Sequence, residues 1–95
     1  MRIIARSRLR EFTLKYTDAK NAIEAWYKIV KESKFTGFIA LRKTFPSADR
    51  VNDKTIFNIK GNNYRLITYI NYDCGIIFIK ELLPHAAYDK GGWKQ

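Results

Sequence analysis

Residues 55–83 read TIFNIKGNNYRLITYINYDCGIIFIKELL, and this stretch decides the fold. Three runs, Thr55–Ile59, Asn63–Tyr72 and Ile76–Leu83, are rich in Ile, Phe, Tyr and Thr, the residues that suit a pleated, half-buried surface. Gly61-Asn62 between the first two is a two-residue hairpin signal, with glycine first as a type II′ turn requires. Asp73-Cys74-Gly75 closes the second hairpin, so the spacing predicts a three-stranded antiparallel meander. A two-residue first loop pairs Lys60 with Asn63, Asn58 with Arg65, and Phe57 with Leu66. One face then carries Phe57, Ile59, Tyr64, Leu66, Ile70 and Tyr72 and is fit to bury. The other carries Asn58, Lys60, Asn63, Arg65, Ile67 and Tyr69. The register of the second hairpin stays open. A two-residue loop puts Lys80 on the Arg65 face, and a three-residue loop puts Glu81 there instead.

Upstream of Asp49 the apolar period is helical. Ser7 is placed to cap a helix running to about Tyr16, with Leu9, Phe12 and Tyr16 on one face. Asp18 is placed to cap a second helix to about Ser33, whose Ala19, Ala22, Ile23, Trp26, Tyr27 and Val30 follow the 3.6-residue period. That spacing makes Trp26 a core residue. Met1–Ala5 reads as a short edge strand, Gly37–Phe45 as a short helical turn, and Pro84–Lys90 as another, with a loose tail after Gly91. No repeat, low-complexity tract or linker divides the chain, so residues 1–95 are read as one α+β domain with N-terminal helices packed on a small antiparallel sheet.

The 95 residues include 18 Lys and Arg against 9 Asp and Glu, a formal net charge of +9. A folded domain this basic suits a polyanionic partner, nucleic acid or an acidic protein segment. One cysteine, Cys74, excludes an internal disulfide and a multi-cysteine zinc site. The longest apolar run, Ile76 to Ile79, is far short of the roughly 20 residues that cross a membrane, and no secretory signal is visible at Met1–Ile4. The expectation is a soluble cytoplasmic domain with no membrane, metal or cofactor.

Enzymatic signatures are sparse. Phosphate-loop, dinucleotide and zinc-helix patterns are missing. A Cys74–His85 nucleophile pair is conceivable. The remaining constellation is His85-Ala86-Ala87-Tyr88-Asp89, which on a helix sets His85 beside Tyr88 and Asp89. Near an arginine and a lysine, these groups suit proton transfer and stabilisation of a phosphorane; more simply, His85 and Asp89 form a local hydrogen bond that closes the domain while Tyr88 packs. A fixed fork of donors makes Arg65 the best candidate for phosphate, with Lys60 and Lys43 as more generic holders. The open face, with Arg65, Lys60, Asn58, Asn63 and an exposed Tyr69, suits single-stranded RNA.

The run Phe57-Asn58-Ile59-Lys60-Gly61-Asn62-Asn63-Tyr64-Arg65-Leu66-Ile67, with Ile70-Asn71-Tyr72, Ile77-Phe78-Ile79-Lys80 and His85-x-x-Tyr88-Asp89, resembles the HigB-type toxins of the RelE/ParE superfamily. The N-terminal Ile3-Ile4-x-x-Ser7-x-Leu9-Arg10-Glu11-Phe12 and Ala25-Trp26-Tyr27 are similar to that family too. The resemblance spans almost the whole chain in order. It implies a toxin of a type II toxin–antitoxin pair, an endoribonuclease (mRNA interferase) that cuts largely ribosome-bound message without a metal, by attack of the ribose 2′-OH on the adjacent phosphate. It also implies that Arg65, Lys80, His85, Tyr88 and Asp89 form the catalytic group. Pro84 stands where the family often has threonine. The implied partners are mRNA, the ribosome and a HigA-like helix-turn-helix antitoxin in a hetero-oligomer. An acidic antitoxin segment is expected on the basic face, with Ile67 and Tyr69 as candidate anchors. Two other readings remain at this point: a ParE-like topoisomerase poison, and a non-catalytic nucleic-acid-binding module.

Overall fold

The computed structural model describes residues 1–94. Among them the chain forms five strands, β1 (Arg2–Ile4), β2 (Asp49–Val51), β3 (Lys54–Ile59), β4 (Tyr64–Asn71) and β5 (Ile76–Pro84). They make one sheet in the order β1-β5-β4-β3-β2. The helices are α1 (Arg6–Lys15), α2 (Lys20–Glu32), α3 (Phe38–Thr44) and α4 (His85–Asp89), with 3-10 turns at Thr17–Ala19 and Gly92–Lys94.

The expected meander is β3-β4-β5, and its first hairpin has the expected register, Asn58 opposite Arg65 and Phe57 opposite Leu66. The ladder stops at Ile59–Tyr64 rather than Lys60–Asn63. Lys60 itself turns to φ 54° and Gly61 to φ 63°, and the Asn63 amide closes onto the Lys60 carbonyl at 3.2 Å. Two flanking strands turn the antiparallel meander into a mixed sheet. Asp49–Val51 adds antiparallel to β3. The N-terminal segment is an edge strand as expected, but it runs parallel to β5, with Ile3 opposite Ile77.

Residues on one face of the sheet meet the helices. Phe57, Ile59, Leu66, Ile70, Ile77, Ile79 and Leu82 join Leu9, Ile23, Trp26, Val30 and Leu41 in one buried cluster. Tyr64 and Tyr72 pack partly buried against it, so the expected inner face holds throughout. The rings meet edge to face: Trp26 on Phe57 at 5.3 Å and Phe45 on Phe57 at 5.0 Å. This is the arrangement that brings a positive ring edge onto a negative ring face.

The expected helix caps are not used. The residue that precedes α1 is Ala5, and Ser7 lies inside the helix. β1 ends at Ile4 and leaves no room for a loop, so the first helical turn begins one residue before Ser7. Asp18 sits in the 3-10 turn and Ala19 precedes α2. The Asp18 carboxylate is drawn away, accepting from Tyr64 Oη at 2.6 Å and Lys60 Nζ at 3.0 Å. It thereby ties the hairpin tip to the helical layer.

Both registers weighed for the second hairpin occur. From Asn71–Ile76 to Thr68–Ile79 the strands pair in one frame, and from Ile67–Glu81 to Tyr64–Pro84 in the other. Lys80 is the extra residue between them, a β-bulge. Its carbonyl is taken by Arg8 Nη1 of α1 at 2.8 Å. Burial carries the same mark: Ile79 and Leu82 are buried while Lys80 and Glu81 between them are both exposed.

Candidate active site

The face away from the helices carries the polar residues. Cross-strand pairs line it: Asn58 beside Arg65, Ile56 beside Ile67, Lys54 beside Tyr69. Ile56 and Ile67 are each 1% exposed and lie outside the helix-side cluster. Ile67 is thus buried, not an outward anchor; it borders a cleft that Trp93 also lines. Tyr69 is exposed as expected, at 37%, with its ring 6.0 Å from that of Phe78.

α4 follows β5 directly. Pro84 ends the strand at φ −58°, ψ 154°, a position that needs no N–H from it. The next amide, His85 N, donates to the Asn63 carbonyl at 3.0 Å. That bond sets the start of α4 against the first hairpin and beside Arg65.

Arg65 is the centre of the cluster. Its Nη1 donates to the carbonyls of Asn62 and Tyr64 at 3.1 and 3.2 Å. Its Nη2 lies 3.2 Å from His85 Nδ1, and its guanidinium sits 5.5 Å from the centre of the Tyr88 ring. Guanidinium nitrogens only donate, so Nδ1 accepts and the imidazole is the neutral Nε2–H tautomer in this contact. Nε2 is 3.1 Å from Asp89 Oδ2, which completes a chain Arg65–His85–Asp89. Burial pushes the Tyr88 phenol above its ordinary value of 10.0, and the Asp49 carboxylate adds to that while Arg65 opposes it. The phenol therefore keeps its proton at neutral pH.

Trp93 stacks on Tyr88 with ring centres 4.8 Å apart and planes 17° apart, and donates from Nε1 to the Tyr88 carbonyl at 2.9 Å. The segment after Gly91 is therefore not loose as far as Lys94. Beyond this stack opens a cleft of about 620 Å³, lined by Asp53, Lys54, Ile67, Tyr69, Lys80, Glu81 and Trp93.

The expected residues divide into three groups. Arg65, His85, Tyr88 and Asp89 come together, with Asn58 as the cross-strand neighbour of Arg65 and Asn63 acting through its carbonyl. Lys80 and Tyr69 line the adjoining cleft. Lys60 and Lys43 stand apart. Lys60 is paired with Asp18, their side chains 43% and 51% exposed, and Lys43 borders a shallow depression with Ile39, Arg42 and Pro46. Cys74 is exposed in the turn before β5, while His85 follows its far end. The nine residues of β5, at about 3.3 Å each, hold them roughly 30 Å apart, which removes the Cys74–His85 pair. Asp53, Lys54 and Trp93 were missed, and Glu81 was foreseen only as the alternative to Lys80. The adjacent exposed pair Lys80-Glu81 was the signal for the bulge, and Trp93 two residues past Gly91 was the signal for a docked end.

Among the described residues no group of three or more His, Cys, Asp or Glu is placed to hold a metal ion, and no helix is long and apolar enough to cross a membrane. A family model for HigB toxins, described as the RelE-like toxic component of a toxin–antitoxin system, matches residues 19–91. The mRNA interferase HigB of Escherichia coli O6:H1 is 33% identical over 93 residues, 95% of this chain and 90% of the relative. The mRNA interferase toxin HigB of Escherichia coli K12 and the mRNA interferase HigB of Shigella flexneri are each 25% identical over 92 residues, 94% of this chain and 88% of theirs. The family model covers β2 to β5, α2, α3 and the Arg65–His85–Tyr88 cluster together, and the chain belongs to the HigB family of RelE-like toxins.

Proposed function

We propose that this chain is an mRNA interferase, an endoribonuclease that cuts single-stranded message and so stops translation. The observation that carries this reading is Arg65, held by two hairpin carbonyls against His85 Nδ1 and beneath the Tyr88 ring. Cleavage by a neighbouring ribose 2′-OH needs a base for that hydroxyl, a cation for the phosphorane and an acid for the leaving 5′-oxygen. Arg65 is the cation. When a phosphate oxygen takes the Nη2 donor, the Nδ1 lone pair of His85 is released to accept the 2′-OH proton. Asp89, itself exposed, then stabilises the imidazolium through Nε2. The Tyr88 phenol gives its proton to the 5′-oxygen, and Lys80 holds a neighbouring phosphate. The O2′–P bond forms as the P–O5′ bond breaks, leaving a 2′,3′-cyclic phosphate and a 5′-hydroxyl. These side chains supply every charge the reaction needs without a metal ion.

Membership of a toxin–antitoxin family implies an antitoxin partner. Our reading gives it a HigA-like helix-turn-helix form with an acidic segment, in a hetero-oligomer, and places the toxin's work on ribosome-bound mRNA in the cytoplasm. The relatives' names support RNA cleavage over poisoning of a topoisomerase. The test is to incubate the purified chain with single-stranded RNA and with translating ribosomes, in excess chelator, and to analyse the new ends. Cyclic-phosphate and 5′-hydroxyl ends are expected. Intact RNA in both reactions, with the protein folded, overturns the proposal.

A further inference from the structure

The cleft beside the Arg65 cluster holds carboxylates where a phosphate-binding surface has no use for them: Asp53, which is paired with Lys54, and Glu81. Glu81 is brought there by the bulge, which sets it and Lys80 side by side on one face. Among the described residues Glu81 is in no ion pair, although Lys80 and Lys54 line the same cleft; the ammonium of Lys54 is 3.4 Å from Asp53. A carboxylate repels the RNA backbone. What it attracts is an N–H donor, and on RNA those are on base edges.

The rest of the cleft suits a base. Tyr69 and Trp93 bring aromatic rings to its lining, Ile67 brings an apolar side chain, and the ammonium of Lys80 suits a flanking phosphate. Base stacking on aromatic rings accounts for much of single-strand recognition. The volume, about 620 Å³, lies within the range of small-ligand pockets. Trp93 also stacks on Tyr88, so a base in this cleft lies one ring away from the Arg65 cluster.

We infer that this cleft is a nucleobase pocket in which Glu81 selects guanine. Guanine alone presents two adjacent donors, N1–H and N2–H, which match the two oxygens of one carboxylate. Adenine and cytosine set a ring acceptor next to their amino group, and uracil flanks its single N–H with two carbonyls, so each turns a lone pair toward the carboxylate. The inference rests on the RNA-cleaving reading for its biological meaning, but the pocket is testable without cleavage.

The probe is a 2′-O-methyl uridine pentamer, which has no nucleophile and stays uncut, with its central base replaced by guanine, adenine or cytosine. Wild-type protein is expected to bind the guanine pentamer about 10-fold more tightly than the others, the scale of one bidentate base contact. Glu81→Gln, an exposed and fold-neutral change, offers one acceptor and one donor, which match adenine and cytosine alike, and is expected to abolish the guanine preference. Tyr69→Ala is expected to weaken all four pentamers alike. Equal binding of the four by wild type, or an unchanged guanine preference in Glu81→Gln, overturns the inference. All-ribose RNA is run in parallel. If it stays intact while guanine preference still depends on Glu81, the interferase reading fails and the pocket stands. If it is cut without base preference, the pocket fails and the interferase stands.

Discussion

Arg65→Ala separates what this side chain does for the fold from what it does for the reaction. In the folded protein Arg65 gives two hydrogen bonds to backbone carbonyls and lies over one aromatic ring. Half-exposed bonds of this kind contribute about 1 kcal/mol or less each, and the ring contact about 0.5 kcal/mol. The loss of stability should be about 2 kcal/mol, which for a domain of this size lowers Tm by roughly 8–16 °C. That is within the roughly 5–15 kcal/mol that holds small domains folded, so the variant remains folded at 25 °C. The reaction loses much more. Removing one positioned donor from a developing anion typically costs about 10²- to 10³-fold in rate, or roughly 2.7–4 kcal/mol. Arg65→Lys keeps the charge but not the planar fork that spans the carbonyls and His85; it should recover most of the stability and about 10-fold of the rate. Circular-dichroism melts and single-turnover cleavage of one RNA measure both. A folded Arg65→Ala protein that cuts within about threefold of wild type, against the 10²-fold scale above, refutes the assignment.

Tyr88→Phe keeps the stack on Trp93 and removes only the hydroxyl, so cleavage should fall about 10²-fold if the phenol is the acid; an unchanged rate would leave Tyr88 a stacking role alone. The Asp18 carboxyl is held below its ordinary 3.8, first by the Tyr64 hydroxyl and then by Lys60. A lowered folded value means its stabilisation is complete above 3.8 and is lost as pH falls through the folded value. The Tm difference between wild type and Asp18→Asn should therefore narrow in acid, and a difference that is constant with pH counts against the clasp. Phe57→Ala opens a cavity between Trp26 and Phe45 and should cost about 3–5 kcal/mol, read as a large drop in urea midpoint. Cys74→Ser lies on an exposed turn and should change stability by less than about 0.5 kcal/mol and leave cleavage unaltered, whereas a loss of cutting would restore the thiol to the mechanism.

The central hairpin was legible because alternation and a glycine turn are local signals: the Asn58–Arg65 and Phe57–Leu66 pairs follow from the turn alone. The inner face was legible for the same reason, since a one-residue slip would have exposed Phe57 and Leu66. Strand β2 was not, because three residues, Asp49-Arg50-Val51, are too few to show a period. The parallel pairing of β1 with β5 joins segments more than seventy positions apart, and nothing local encodes it. Ser7 and Asp18 carry genuine capping chemistry, but the abrupt β1–α1 junction overrode the first and the stronger claim of Tyr64 and Lys60 overrode the second. In the candidate site, the contact of His85 with Asp89 followed from helical spacing. The meeting of Arg65 with His85 did not; it depends on the amide of His85 finding the Asn63 carbonyl. Lys60 looked like a phosphate holder because its charge is visible in sequence and its partner, Asp18, lies forty-two positions away.

The bulge at Lys80 has a consequence for how such a strand can change. On either side of it the ladder is regular, so excising that one residue would join the two frames into an unbroken run, with every existing cross-strand pair retained. The anchor of His85 on Asn63 lies beyond it, in the frame fixed by the first hairpin, and would be untouched. Strand length is thus a variable independent of topology here. A one-codon deletion would return the strand to strict alternation, leaving Glu81 at the cleft without Lys80 beside it. The chemistry presented to a ligand would change while the fold would not.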